Sequence, residues 1–203
     1  MALIIEKLGR LGYEEARERQ HEAVIQRADG TLPDDVLYLL EHEPVFTLGR
    51  GTDSESLPLN PSIPVVESER GGDITWHGPG QLTGYWIRKL DGSDRDLHQH
   101  LRLIEERLIQ ALQAFDITAN RSEGLTGVWI DGQKIASIGV AVRRWVAYHG
   151  FSLNVNVDAS IYETFHPCGL EGGVMTDLST VIARAVTLDE AINAVADAFS
   201  TNP

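Results

Sequence analysis

The sequence predicts an α/β protein of the α+β kind, a mixed, mostly antiparallel sheet with packed helices. Three observations point there. Short apolar runs dominate the chain and follow one another in hairpin order, two of them joined at Asp131-Gly132. Three helical segments stand apart from those runs instead of alternating with them. No shift in composition marks a second domain, so residues 1–203 read as one domain.

Residues 1–5 open the chain as a short strand. Residues 13–28 are rich in Glu, Arg, Gln and Ala and read as a helix. Residues 36–40 and 45–48 are apolar runs separated at Pro44, and read as strands. Residues 49–62 collect Gly, Ser, Asp, Asn and Pro and read as a loop. Strands follow at 63–66, 74–76 and 82–87, the first two separated by Gly71 and Gly72.

Ser93, with Asp96 three residues later, reads as a capping box that opens a long helix. Leu97, Leu101, Ile104, Leu108, Leu112 and Phe115 then form one apolar stripe, suited to packing on a sheet. Residues 128–130 and 134–142 form a hairpin on a type I′ turn at Asp131-Gly132. Residues 146–157 continue it, with Phe151, Leu153, Val155 and Val157 alternating against Ser152, Asn154 and Asn156. Thr187 with Glu190 as box partner starts the last helix, through Ala191, Ile192, Val195 and Phe199.

Lys and Arg total 17 against 30 Asp and Glu, a net charge of −13. Nucleic-acid phosphates and anionic membranes call for clustered cations, so neither is an expected partner. One cysteine, Cys168, excludes an intrachain disulfide and a zinc site built on several thiolates. A reducing, cytoplasmic setting is expected. The start of the chain does not read as a signal peptide, and no apolar run reaches bilayer length. There is no P-loop, no G-x-G-x-x-G after a strand and no H-E-x-x-H. Gly49-Arg50-Gly51 lacks a third glycine and carries no weight as a nucleotide loop. His98 and His100 lie two apart on a helix, so they face apart and read as solvated, not as a metal pair. No metal is expected.

Four features remain. Residues 70–80, R-G-G-D-I-T-W-H-G-P-G, crowd glycines around Arg70, Thr75, Trp76 and His77. Glycines let a backbone approach a ligand closely, or simply make a tight turn. Lys134 alternates with Ala136, Ile138, Val140 and Val142, which places it on an apolar face where an ammonium needs a partner, unless it snorkels. His149-Gly150-Phe151-Ser152, with Gly139 on the preceding strand, leaves room for an apolar chain or packs as plain sheet. Cys168 lies in a turn, F-H-P-C-G-L, where a thiol is accessible. Only its thiolate would react, so it needs a cation nearby, for which Lys134 and His166 are the candidates.

Taken together, residues 70–82, 127–139 (G-V-W-I-D-G-Q-K-I-A-S-I-G), 149–156 (H-G-F-S-L-N-V-N) and Pro167-Cys168-Gly169 resemble the lipoyl(octanoyl) transferases, also called lipoate-protein ligase B. Residues 41–50 (E-H-E-P-V-F-T-L-G-R) add to the resemblance, which runs from residue 13 to 178 with each block in the family's order. Met175-Thr176-Asp177-Leu178 is a looser version of the family's V-T-S-L segment. The resemblance implies the catalytic core shared with lipoate and biotin protein ligases. It implies transfer of an octanoyl group from octanoyl-acyl carrier protein to a lysine of lipoyl domains. The acceptors implied are 2-oxoacid dehydrogenase E2 subunits and the glycine-cleavage H protein, in the first step of endogenous lipoate synthesis. Residue by residue, Cys168 would be the acyl-thioester nucleophile and Lys134 its activating partner. Arg70, Gly71, Gly72, Asp73, Ile74, Thr75, Trp76 and His77 would line the acyl site with Ser137, Ile138, Gly139, Gly150, Phe151 and Ser152.

The donor is already a thioester, so exchange onto Cys168 needs no ATP and no cofactor is expected. Two rival readings remain: an ATP-dependent lipoate or biotin ligase on the same fold, and a non-catalytic acyl-binding module. If the carrier protein is acidic, as in the family's usual pairing, docking would rely on a local basic patch. Arg143-Arg144 and Arg88-Lys89 are the candidates.

Overall fold

The computed structural model describes residues 2–52, 62–165 and 174–201. Ten strands are described: β1 (Leu3–Leu11), β2 (Asp35–His42), β3 (Val45–Leu48), β4 (Val65–Glu67), β5 (Thr75–His77), β6 (Gln81–Lys89), β7 (Asn120–Ser122), β8 (Leu125–Ile130), β9 (Gln133–Arg143) and β10 (Val146–Asn154). The helices are α1 (Tyr13–Asp29), α2 (Leu97–Gln113), a single turn α3 (Leu178–Val181) and α4 (Leu188–Ser200). Seven strands form one sheet in the order β1-β2-β6-β10-β9-β8-β7, and β4-β3-β5 form a small second sheet. In the large sheet β1 runs parallel to β2 and the other pairings are antiparallel, so the expected fold class holds. None of the described helices is long and apolar enough to cross a membrane.

The large sheet is covered on both faces. Alternation along β2 sends Leu37 and Leu39 to one side, into a cluster with Ile104, Leu108 and Leu112 of α2 and Ala191, Val195 and Phe199 of α4. Val36 goes to the other side, with Ala23 and Val24 of α1, Ile87, Val146 and Tyr148. A third cluster joins the small sheet to the chain after β10, through Phe46, Ile74, Trp76, Val157, Tyr162 and Phe165.

Most elements form where local chemistry places them. Asp131 (φ 48°) and Gly132 (φ 82°) are both left-handed, as the type I′ turn between β8 and β9 requires. Thr187 and Glu190 make the reciprocal capping box of α4. Other expectations need correction. Ser93 is no helix cap, because it lies in a short 3-10 turn (Gly92–Asp94). Asp96 itself caps α2, accepting from the N–H groups of His98 and Gln99. The first strand is longer than expected, because parallel pairing with β2 carries it to Leu11.

His100 is not solvated. It is buried against Trp86, ring centroids 5.1 Å apart, with neither ring nitrogen hydrogen-bonded among the described residues. Burial pushes its pKa down to about 3. The unfolded imidazole takes up a proton near pH 6.5 and the folded one does not, so acidification between pH 6.5 and 3 favours unfolding. His100→Phe keeps an aromatic ring at this site and removes that proton. Between pH 7 and pH 4.5 the wild type should lose about 2–3 kcal/mol more stability than the variant. Urea unfolding at the two pH values checks this, and equal losses would refute it.

Two glycines, Gly150 in β10 and Gly71 in the turn before β5, give a second test. A Cβ on Gly150 would stand 2.3 Å from the Gly84 carbonyl oxygen, whereas one on Gly71 finds nothing nearer than the Val140 carbonyl at 3.7 Å. Gly150→Ala should therefore cost about 2–3 kcal/mol and Gly71→Ala less than about 1 kcal/mol, read from denaturant midpoints.

Candidate active site

The site is organised by the turn at residues 70–73. β8 pairs with β9 only as far as Ala136, and the turn approaches β9 beyond that point. The Gly71 N–H donates to the Val140 carbonyl at 2.9 Å. Gly139 makes the approach possible, since a Cβ there would stand 2.9 Å from the Gly71 oxygen. Arg70 is buried and ties the turn to the small sheet. Its guanidinium donates to the Thr47 carbonyl (2.7 Å), the Thr47 hydroxyl (2.9 Å) and the carbonyls of Gly71 (3.1 Å) and Asp73 (2.7 Å). Gly49-Arg50-Gly51, set aside in the sequence, clamps the other side. The Arg50 N–H donates to the Arg70 carbonyl and the Gly51 N–H to the Gly72 carbonyl.

Two cavities flank this seat and share Gly72, Asp73, Ile138 and Gly139 as a wall. The first holds about 470 Å³ of space, part of it open to solvent. Arg70, Gly72, Asp73, Thr75, His77, Ser137, Ile138, Gly139, Gly150, Phe151 and Ser152 line it, so most of the expected acyl-site residues come together. Gly71 lines the second cavity. Ile74 and Trp76 line neither. They pack into the hydrophobic cluster beneath the small sheet, because the alternation of β5 and its approach turns them inward. The glycines also act differently from the expectation. The space over Gly139 and Gly150 is taken by the protein's own backbone at Gly71 and Gly84.

Lys134 opens into the second cavity, with Leu97, Leu101, Gly124, Leu125 and Thr126. It is buried, as its pattern suggested. A register shift interrupts that pattern: Val128 pairs with Ala136 but Trp129 with Lys134, which leaves Ile135 as a bulged extra residue. Bulges re-aim the side chains beside them. The lysine stem lies along Gly127 (φ 137°), where a Cβ would come within 2.7 Å of Lys134 Cε. Its Nζ stands 5.6 Å from the centre of the Trp129 ring. The Lys134 carbonyl accepts from the Thr176 N–H at 3.0 Å, and Met175 bridges to the same strand position.

Sequence reasoning missed a polar chain that runs from the first cavity to this strand. His77 Nδ1 is 2.8 Å from Gln81 Oε1, and Gln81 Nε2 donates to Asn154 Oδ1 (3.0 Å). Asn154 also accepts from the Tyr162 hydroxyl (2.8 Å) and donates to the Thr176 carbonyl (2.9 Å). Beside it His42 is held between the Leu11 carbonyl and the Tyr85 hydroxyl. Tyr13 and Tyr85 line the first cavity as well. Burial brings the pKa of His42 and of His149 down to about 4, and that of His77 well below its ordinary value with help from His42 and Arg70. These imidazoles are neutral at pH 7, so the first cavity sets neutral donors and acceptors beside the buried Arg70 and the carboxyl group of Asp73. His149 is left-handed (φ 58°) without being glycine, a strained conformation that the sequence does not announce.

Cys168, its neighbour His166 and the rest of F-H-P-C-G-L after Phe165 lie outside the described residues. Among the described residues no group of three or more His, Cys, Asp or Glu side chains is placed to hold a metal. Of the basic pairs, Arg88 is engaged by Asp94 and stacks over Trp86, while Arg143-Arg144 is exposed at the β9–β10 turn.

Comparison with known proteins agrees with this geometry. Residues 13–200 match the lipoyl protein ligase A/B catalytic domain. An octanoyltransferase of Geobacter metallireducens is 46% identical over 197 residues, covering 97% of this chain and 92% of the relative. One from Geobacter sulfurreducens is 47% identical over 196 residues, covering 97% and 83%. A solved bipartite lipoate protein ligase from Thermoplasma acidophilum, studied with its E2 lipoyl domain, shares the fold with a TM-score of 0.69 at 16% identity, covering 98% of this chain and 82% of that one. The chain therefore belongs to the lipoyl protein ligase A/B catalytic domain family, alongside its octanoyltransferases, and is an acyl-transferring enzyme.

Proposed function

We propose that the enzyme moves an octanoyl group from acyl carrier protein to the lysine of lipoyl domains, those of 2-oxoacid dehydrogenase E2 subunits and the glycine-cleavage H protein. It would do so in the cytoplasm, as the first step of endogenous lipoate synthesis. One observation supports this reading above the others. The cleft expected to take an acyl chain gathers residues from three distant sequence blocks, and it shares a wall with the cavity that holds Lys134.

The chemistry divides into two balanced steps. The Cys168 thiolate attacks the donor thioester carbonyl, a new C–S bond forms, the C–S bond to the carrier breaks, and the carrier's sulfur leaves as a thiolate that takes up the proton Cys168 gave up. The acceptor lysine then attacks the Cys168 thioester as a neutral amine, an amide forms, and the Cys168 sulfur leaves. The first step calls for a cation to favour the thiolate, and Lys134 is the candidate. The second calls for a base, because a free lysine holds its proton up to a pKa of about 10.4. Lys134 serves both steps if it passes the proton gained from the amine to the departing sulfur. Backbone N–H groups would stabilise the oxyanion of each tetrahedral intermediate.

Intact-mass measurement after mixing with octanoyl-acyl carrier protein tests the reading. The wild type should gain one octanoyl group, and Cys168→Ser should gain none. An unchanged wild-type mass with intact donor favours the non-catalytic acyl-binding module. Retained ATP-dependent lipoylation by Cys168→Ser would decide for a ligase.

Lys134→Met should acylate at least about 100-fold more slowly while keeping the fold, by the usual size of a lost acid–base or charge partner. Rapid-quench mass spectrometry and circular dichroism check both parts. A wild-type rate would remove Lys134 from the mechanism.

A further inference from the structure

Glu105 lies on α2, outside every motif that carries the family resemblance, and its carboxylate is fully buried. A buried carboxylate is costly unless its oxygens are engaged by donors. Here Oε2 accepts from Arg102 (2.7 Å) and from Arg121 of β7 (3.0 Å), both partly exposed. Oε1 is turned inward and accepts from the backbone N–H of Gly127 at 3.1 Å.

The two arginines do not explain why the carboxylate is buried. Arg121 is already tied to α2 at the surface, by a second ion pair to Glu106 (2.7 Å) and a bond to the Arg102 carbonyl (3.2 Å). The inward oxygen is explained by what it holds. Gly127 is the residue over which the Lys134 side chain crosses, close enough that any Cβ there would collide with Lys134 Cε and with the Ala136 carbonyl. The bulge at Ile135 aims the lysine from its own strand, and Gly127 forms the opposite wall of its channel. The wall stands on Glu105.

We propose that Glu105 is a positioning residue for Lys134. It fixes the Gly127 backbone from α2 and so sets the course of the lysine stem into the cavity beside the acyl cleft. Its importance for catalysis rests on the role of Lys134 proposed above; its effect on the lysine's position does not.

Three variants separate positioning from plain stability. Glu105→Gln keeps an oxygen that can accept from Gly127 but loses the charge. Glu105→Met loses both. Arg121→Met loses an ion pair and leaves the Gly127 bond. The chain has three lysines, Lys7, Lys89 and Lys134, so ¹³Cε-labelled lysine gives three resolvable signals, assigned with Lys134→Met.

The Lys134 signal should move in Glu105→Met and stay near its wild-type position in the other two, although all three melt at lower temperature. Cys168 acylation by octanoyl-acyl carrier protein should slow tenfold or more in Glu105→Met with KM within twofold, and stay within threefold of wild type in the others. An unmoved Lys134 signal in Glu105→Met overturns the proposal. So do losses of rate that simply follow the melting temperature across the three variants. A moved signal with wild-type acylation, in a chain whose Lys134→Met variant is also fully active, would leave positioning standing and count against the catalytic reading of Lys134.

Discussion

The rest of the site depends on one backbone contact, the seat of the turn at residues 70–73 on the edge of β9. A strand edge carries unpaired N–H and C=O groups, and leaving them buried without partners costs more than a made hydrogen bond returns. β8 abandons that edge after Ala136, and the Gly71 N–H takes up the Val140 carbonyl there. The contact works only because residue 139 has no side chain. The Arg70 guanidinium then carries the connection into the small sheet at Thr47. Two sheets are joined by this seat, and the shared wall of the two cavities is the seat itself. The two cavities on either side of one turn are therefore a single construction.

The polar chain through Gln81 and Asn154 gives that construction rigidity. Asn154 takes both donors offered to its oxygen, from β6 and from the 3-10 turn Ala159–Glu163 that contains Tyr162, and donates a hydrogen bond to the Thr176 carbonyl. Each bond adds only about 1 kcal/mol net, but a partner left alone in this buried setting costs about 1–3 kcal/mol. Such a chain is kept whole or not at all. It links the imidazole of His77 in the first cavity to the backbone that bonds Lys134, so the two cavities keep a fixed relation. The same burial holds His42, His77 and His149 neutral, which suits a bed for an uncharged acyl chain.

What was legible in the sequence is what short-range chemistry decides. The Asp131-Gly132 turn was readable because left-handed backbone at two adjacent positions has few residue solutions. The Thr187–Glu190 box was readable because both of its bonds lie within one helical turn. The blocks of sequence that resemble a family do meet around the first cavity, less Gly71, which lines the second, and Ile74 and Trp76, which turn inward beneath the small sheet. What stayed hidden depends on partners far along the chain. Ser93 and Asp96 are both good caps by type, and only the tertiary path selects Asp96. His100 looked solvated because nothing near it announces Trp86. Glu105 went unread although it stands four residues after Leu101 and three before Leu108, within the apolar stripe, because its partner at Gly127 is twenty-two residues away. The Ile135 bulge left no mark, because its cause is the register between two strands.

Gly49-Arg50-Gly51 shows how one fold can serve different chemistry. A phosphate-binding loop presents free backbone N–H groups to its ligand. Here the N–H groups of Arg50 and Gly51 are already donated to the carbonyls of Arg70 and Gly72, and Gly49 packs so tightly that a Cβ would strike the Gly72 oxygen. These glycines brace the turn at residues 70–73 and do not form an open cradle. On the proposed reading the donor arrives as a thioester and asks for no more than this. Exchange between two thioesters is close to balanced, so on that reading the protein would supply positions instead of an activating phosphate: a braced cleft, an oriented lysine and backbone donors at the carbonyl. The glycines that look like a mobile loop in the sequence are, in the fold, what keeps those positions still.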